Sequence, residues 1–224
     1  MCGRYTLTVP LSNLVDTFQV EPPEFDYVPR FNIAPTQKVP VVAQDSRGRR
    51  MGLLQWGLVP SWADDPSMGS RLINARWETV GEKPSFRSAF RRRRCLVPAD
   101  GFFEWKKEGE GKTPYWIHRA DREPLAFAGL WEGWEPREGD PLFTFTILTT
   151  EAIPEIREIH PRMPLVLPPS DWDRWMDSET DTQGLSRILQ EYRGPSLAAF
   201  PVSTRVNTPR NDDPSLIEPE SQEI

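Results

Sequence analysis

Two cysteines and two histidines in 224 residues exclude a good deal. Two cysteines cannot build a disulfide framework. With two histidines and no metal-type spacing they offer no zinc site either, so neither a metal nor a cofactor is expected. No apolar run is long enough to span a membrane, and no stretch has the make-up of a secretory signal. A reducing cytoplasm is the expected location, with no membrane partner. Internal repeats, coiled-coil heptads and Gly-rich phosphate loops are missing. No linker of flexible composition divides the chain, since the polar stretch 132–140 is short enough for a hairpin loop. Excess positive charge is missing too: the net charge is −6, which is not the balance of a general nucleic-acid binder.

What is present is uneven. Residues 1–100 carry 14 Lys and Arg against 10 Asp and Glu, whereas residues 101–224 carry 13 against 23, so a local basic face fits on an acidic protein. The densest basic run, Arg91 to Arg94, reads as a solvated helix end. Proline is abundant at 24 residues, which implies short elements and many turns. Nine tryptophans exceed the needs of a core, and surplus Trp is found where bases or sugars stack.

The hydrophobic pattern favours strands. Alternation and turn signals place a hairpin at 38–43 and 51–59, strands at 95–98 and 102–106 around Ala99-Asp100-Gly101, and further strands at 115–118, 125–131, 142–149 and 198–202. Helices are short: one capped by Ser12, one opened by Pro84 with Phe86 and Phe90 inward, one over 151–159 capped by Thr150, one over 171–176 capped by Ser170, and an amphipathic one carrying Leu185, Ile188, Leu189 and Tyr192. His118, at a strand end, is expected to be exposed, Cys95 to be an inert core thiol, and Arg76 and Glu78 to form a surface pair. The fold class is α+β: a single domain dominated by antiparallel strands, barrel-like, with short flanking helices.

The chemistry concentrates at the start. If Met1 is removed, Cys2 carries an α-amine titrating near ~7.7–8.0 beside a thiol near ~8.5. Such a 1,2-aminothiol condenses with an aldehyde to a Schiff base, and the thiol then closes a five-membered thiazolidine on the same carbon. Gly3 permits close approach of the backbone, and Arg4 supplies a fixed cation for phosphate. Glu104, among the aromatics Phe102, Phe103 and Trp105, is either on a solvent-facing strand surface or desolvated with a raised pKa, the state a general acid/base needs. Asn74, beside the apolar Ile73, needs hydrogen-bond partners, and Asn32 suits a turn.

Several segments resemble one family together: Cys2-Gly3-Arg4-Tyr5, Phe31-Asn32-Ile33-Ala34-Pro35, Trp56-Gly57-Leu58-Val59-Pro60-Ser61-Trp62, Asn74-Ala75-Arg76-Trp77-Glu78-Thr79, Gly101-Phe102-Phe103-Glu104-Trp105, Ile159-His160-Pro161-Arg162-Met163-Pro164, and Val206-Asn207 with Leu216-Ile217-Glu218-Pro219. They resemble the SRAP family (SOS response-associated peptidase), the abasic-site processing proteins. The resemblance implies an ordered domain over 1–219 with a loose tail at 220–224. It implies a protein of the DNA-damage (SOS) response that binds single-stranded DNA and links Cys2 covalently, as a thiazolidine, to the aldehyde of an abasic site. Asn74, Glu104 and His160 match the other active-site positions. Arg4, Arg76 and Arg162 match positions that hold phosphates, and Asn32, Trp62 and Trp105 complete the DNA-binding set. The expected partner is single-stranded DNA containing abasic sites, met by a monomer in the cytoplasm at the nucleoid, with lyase chemistry as a side path. The alternative is a thiol peptidase, with Cys2, His160 and Asn74 in a Cys–His–Asn arrangement and autoproteolytic removal of Met1.

Overall fold

A computed structural model describes residues 2–192 and 194–220. Met1, and with it the question of its removal, lies outside the described residues, as does the expected loose tail apart from Glu220. The strands are β1 (Tyr5–Leu7), β2 (Arg30–Ile33), β3 (Lys38–Asp45), β4 (Gly48–Trp56), β5 (Asn74–Arg76), β6 (Arg94–Ala99), β7 (Gly101–Glu108), β8 (Gly111–Arg119), β9 (Leu125–Trp134), β10 (Leu142–Glu151), β11 (Arg162–Pro164) and β12 (Leu197–Pro201). The helices are short: α1 (Leu11–Phe18), α2 (Trp77–Val80), α3 (Arg87–Arg92), α4 (Pro154–Arg157), α5 (Trp172–Met176) and α6 (Thr182–Gln190).

One sheet closes on itself. β10 pairs with β4, β4 with β3, β3 with β6, β6 with β9, and β9 returns to β10, which gives the expected barrel. The β10–β4 contact is parallel and the rest of the ring is antiparallel. A second, wholly antiparallel sheet runs in the order β12-β8-β7-β1-β2. The chain crosses between the sheets at Asp100, with β6 in the barrel and β7 in the second sheet. The corner is tied down because the Asp100 carboxylate accepts from Thr6 Oγ1, the Thr8 amide, Thr8 Oγ1 (2.6 Å) and the Val9 amide (3.2 Å). The sheets pack through aromatic rings. Tyr5 of β1 lies edge-on to Trp56 of β4 at 5.2 Å and to Phe127 of β9 at 6.0 Å, and Phe102 of β7 lies edge-on to Phe127 at 6.0 Å.

Several local expectations are corrected. α1 starts behind Pro10 with no side-chain cap, so Ser12 lies within the helix. Pro84 lies in a turn and α3 begins only at Arg87, though Phe86 and Phe90 are buried as expected. β10 continues through Thr150 to Glu151 because β11 pairs with it there, which leaves only Pro154–Arg157 helical. Ser170 sits in a 3-10 turn and caps nothing. Tyr192 falls beyond α6, and the side chain of Leu189 is outside the described set.

Arg94 is buried, not a solvated helix end. Its guanidinium donates to the carbonyls of Trp175 (2.6 Å), Phe90 (2.7 Å), Arg91 (2.7 Å) and Asp177, binding α3 to α5. His118 is also buried, against Trp116 and Phe200, because β12 covers that end of β8. Cys95 is the expected core thiol.

Candidate active site

The site forms where the second sheet meets the end of β10. β10 brings two of its parts together. β5 pairs alongside Ile147–Thr149 and positions Asn74, while β11 pairs with Thr149–Glu151 and positions Arg162 just after His160. The second sheet brings the others. β7 carries Glu104, and the segment leading into β1 carries Cys2 and Arg4. The backbone of Arg4 joins these two, since its carbonyl accepts from the Phe103 amide at 2.9 Å and from the Cys2 thiol at 3.6 Å.

Cys2 is fully buried. Burial pushes its thiol well above the ordinary range, and the negative charge of Glu104 adds to the effect. Asn74 Nδ2 donates to the Cys2 carbonyl at 2.7 Å. Asn74 Oδ1 is buried with no hydrogen-bond partner among the described residues. A buried acceptor left without a partner is costly and needs a reason.

Glu104 takes the desolvated alternative. It is 3% exposed. Burial raises its carboxyl above the ordinary carboxylate range, and the nearby His160 pulls the other way. His160 Nδ1 lies 3.8 Å from Glu104 Oε1. The same nitrogen accepts from the Arg162 amide at 3.0 Å and lies 2.8 Å from the Arg162 carbonyl, so the ring is oriented by the chain that follows it. Its own amide bonds to Ile156 at the end of α4. Cys2, Asn74, Glu104 and His160 thus come together from four separate segments.

The DNA-binding candidates are placed less uniformly. Arg76 is exposed. It does not pair with Glu78 as expected, because Glu78 holds Arg162 with two bonds of 2.5 and 2.9 Å. Arg162 also donates to the carbonyl of Thr149 at 2.6 Å. Arg4 donates to Asn32 Oδ1 (2.9 Å) and to the carbonyls of Val206 (2.6 Å) and Asn207 (3.2 Å). Asn32 is fully buried, and its amide donates to the carbonyls of Val206, Thr208 and Asn211. The fold commits it internally. Trp105 is half-buried and donates to Asn207 Oδ1 at 2.7 Å. Trp62 is 57% exposed, on the loop after β4. Gly57 turns that loop with φ +122°, and a Cβ there would sit 2.6 Å from the Gly69 carbonyl oxygen.

Sequence reasoning missed Glu78 as the partner of Arg162, and Asp212 as the anchor of the C-terminal segment. Neither has a signal in spacing, because their partners lie 84 and about 180 residues away. Among the described residues no three His, Cys, Asp or Glu side chains gather as a metal site, and no helix is long and apolar enough to cross a membrane.

The family model of SOS response associated peptidase (SRAP) matches residues 1–209. Abasic site processing protein YoqW of Bacillus subtilis (strain 168) is 41% identical over 222 residues, covering 97% of this chain and 99% of its own. Abasic site processing protein HMCES of Gallus gallus is 35% identical over 226 residues, covering 86% of this chain and 67% of its own. A crystal structure of a protein from Bacteroides thetaiotaomicron shares the fold, with a TM-score of 0.86 at 22% identity over 98% of this chain and 100% of that one. A match that spans nearly the whole chain, and relatives of this identity at near-full coverage, lead to one conclusion: the chain belongs to the SRAP family.

Proposed function

We propose that this protein processes abasic sites in single-stranded DNA by forming a covalent thiazolidine between Cys2 and the ring-opened aldehyde of the lesion. The observation that carries the reading is the convergence of a position-2 cysteine with a buried, pKa-raised carboxyl and an oriented imidazole. The names of these relatives support the abasic site as target.

The chemistry balances without a cofactor. The α-amine of Cys2, exposed by loss of Met1, adds to the aldehyde and water leaves, giving a Schiff base. The thiol adds to the imine carbon while its proton passes to nitrogen, closing the ring. Glu104 serves as the proton carrier: burial raises its carboxyl above the ordinary carboxylate range, which favours its taking up a proton and returning it during ring closure. His160, 3.8 Å away, donates to the sugar oxygen as the ring opens. Asn74 holds the residue-2 carbonyl and keeps one acceptor open for the amine or the sugar hydroxyl. Arg76 and Arg162 are the phosphate ligands, and Trp62 is a base-stacking surface. Thiazolidine closure removes the imine whose neighbouring proton would otherwise be lost in strand-cleaving β-elimination.

The thiol peptidase alternative fits less well. A peptidase needs the thiol to attack first, as a thiolate favoured by a cationic, partly exposed setting, whereas the Cys2 thiol is buried and pushed up. In the thiazolidine route the amine attacks first, and the thiol, keeping its proton until addition, closes onto the activated imine carbon. His160 Nδ1 is engaged toward Glu104 and Arg162.

The test is a denaturing gel of an oligonucleotide carrying one abasic site, with wild type, Cys2→Ala, Cys2→Ser and Glu104→Ala, and with intact DNA as control. A shifted band that survives denaturation, needs the lesion and vanishes with Cys2→Ala supports the reading. Its absence from wild type whose mass shows Met1 removed would sink it, and peptide substrates would be next.

A further inference from the structure

The C-terminal segment after β12 lies across the second sheet, held by a chain of specific bonds. Asp212 is at its centre. One carboxylate oxygen accepts from the amides of Phe31 (2.5 Å) and Asn32 (3.0 Å) in β2, and the other accepts from Arg30 Nε. Asn32, so fixed, donates to three carbonyls of the segment and accepts from Arg4. Val206 and Leu216 complete the anchorage by packing with Phe103, Trp116 and Val202 in a small apolar cluster.

Arg4 lies where this anchorage meets the site. Its guanidinium is gripped by Asn32 and by the Val206 and Asn207 carbonyls, while its own carbonyl holds the Phe103 amide, one residue from Glu104, and the Cys2 thiol. Asn207 also holds Trp105 on the other side of Glu104. The segment therefore grips both residues that flank the carboxylate along this path, together with the residue that receives the thiol.

From this we infer that Asp212 is a positioning residue: by clamping residues 203–217 onto β2 it locks Arg4, and through Arg4 and Trp105 it fixes Cys2 and Glu104 relative to each other. Arg4 then acts chiefly as an internal strut, which revises the expectation that it holds phosphate. The inference deepens the proposed function and rests on it for its catalytic consequence, while the clamp itself can be tested without DNA.

The experiment compares wild type, Asp212→Ala and Asp212→Asn. Asparagine keeps an oxygen for the Phe31 and Asn32 amides but turns an NH2 donor toward Arg30 Nε, whose guanidinium keeps its bond to Gln37 Oε1. Iodoacetamide labelling, resolved by peptide mass, reads Cys2 with Cys95 as internal control. The expected result is Cys2 labelling faster by on the order of tenfold in Asp212→Ala, near wild type in Asp212→Asn, with Cys95 unchanged in both. In single-turnover crosslinking at saturating DNA, Asp212→Ala should be slower by on the order of tenfold, since displacement of a reacting group by a fraction of an ångström costs that much. Its affinity for a strand with a non-reactive abasic analogue should be unchanged, and Asp212→Asn should restore the rate. Unchanged Cys2 labelling in Asp212→Ala, or Cys95 rising in step with Cys2, would overturn the clamp. A loss confined to DNA affinity would overturn the positioning role. No adduct from wild type would overturn the proposed function alone, with the labelling still deciding the clamp.

Discussion

The side-chain amide of Asn74 donates a 2.7 Å hydrogen bond to the main-chain carbonyl of Cys2, joining positions 72 residues apart. The bond fixes the orientation of the residue whose amine and thiol the proposed reaction uses, and it makes the amide irreplaceable by a carboxylate of the same shape. Asn74→Asp sets an acceptor against the Cys2 carbonyl and adds a negative charge beside Cys2. The crosslinking rate should fall by roughly 10²-fold, while affinity for an intact single strand changes little. Single-turnover kinetics beside a binding isotherm separate the two, and a loss of affinity alone would assign Asn74 to DNA recognition instead.

Glu104 has a folded-state pKa raised by burial, so the folded protein holds its proton more tightly than the unfolded chain. The stability this contributes is complete below the ordinary carboxylate pKa of ~4.3 and is lost as pH rises through the folded value. At neutral pH the buried carboxylate is therefore a burden, and Glu104→Gln should raise Tm by a few degrees at pH 7 (about 1 kcal/mol for a domain of this size) with less gain at pH 4. The same substitution should abolish the rise of crosslinking rate with pH over the window above the ordinary carboxylate value. A variant that is less stable at pH 7, or a pH profile that keeps its acid limb, would contradict this.

Glu78 and Arg162 form the two-bond pair that spacing did not reveal. The guanidinium of Arg162 holds the Glu78 carboxyl below its ordinary range, and by the same contact Glu78 occupies the guanidinium edge that a phosphate would use. Glu78→Gln should strengthen binding of an intact single strand. It should also steepen the slope of log K against log salt by about 0.7 if one more phosphate is engaged. An unchanged slope would exclude Arg162 as a phosphate ligand.

The barrel and the four candidate site residues were legible in the sequence for different reasons. Strand alternation around Phe145 and Ile147, and the turn at Asp100, are local signals. Cys2, Asn74, Glu104 and His160 were legible because their flanking segments match the family in register. Arg94 was not legible, because four carbonyls must converge before burying a guanidinium becomes favourable, and such convergence exists only after α3 and α5 have packed. His118 was misplaced for a similar reason: the residues that cover it, Phe200 and its strand, are about 80 positions downstream. Asn32 suited a turn, but its three donated bonds depend on a C-terminal segment whose composition resembles disorder. Long-range polar contacts, not secondary structure, are what the chain conceals.

Gly101 offers the sharpest test of how the two sheets are joined. It stands just past the Asp100 corner, opposite His118 in β8 and Thr6 in β1. A Cβ there would lie 2.2 Å from Trp116 Nε1 and 2.5 Å from its Cε2, so the indole, not a backbone requirement, demands glycine. Trp116 cannot easily yield. It is buried, its Nε1 donates to Thr6 Oγ1 at 3.2 Å, and Arg122 lies over its ring at 5.1 Å. Thr6 in turn donates to Asp100, so displacing the ring pulls on the corner itself. Gly101→Ala should cost about 3 kcal/mol or more, beyond the usual range for overpacking. Replacing Trp116 by Phe in the same chain should recover part of that loss by making room where the pyrrole ring stood. Urea unfolding of the two single variants and the double variant gives the coupling directly; strict additivity would mean that the methyl and the indole never meet.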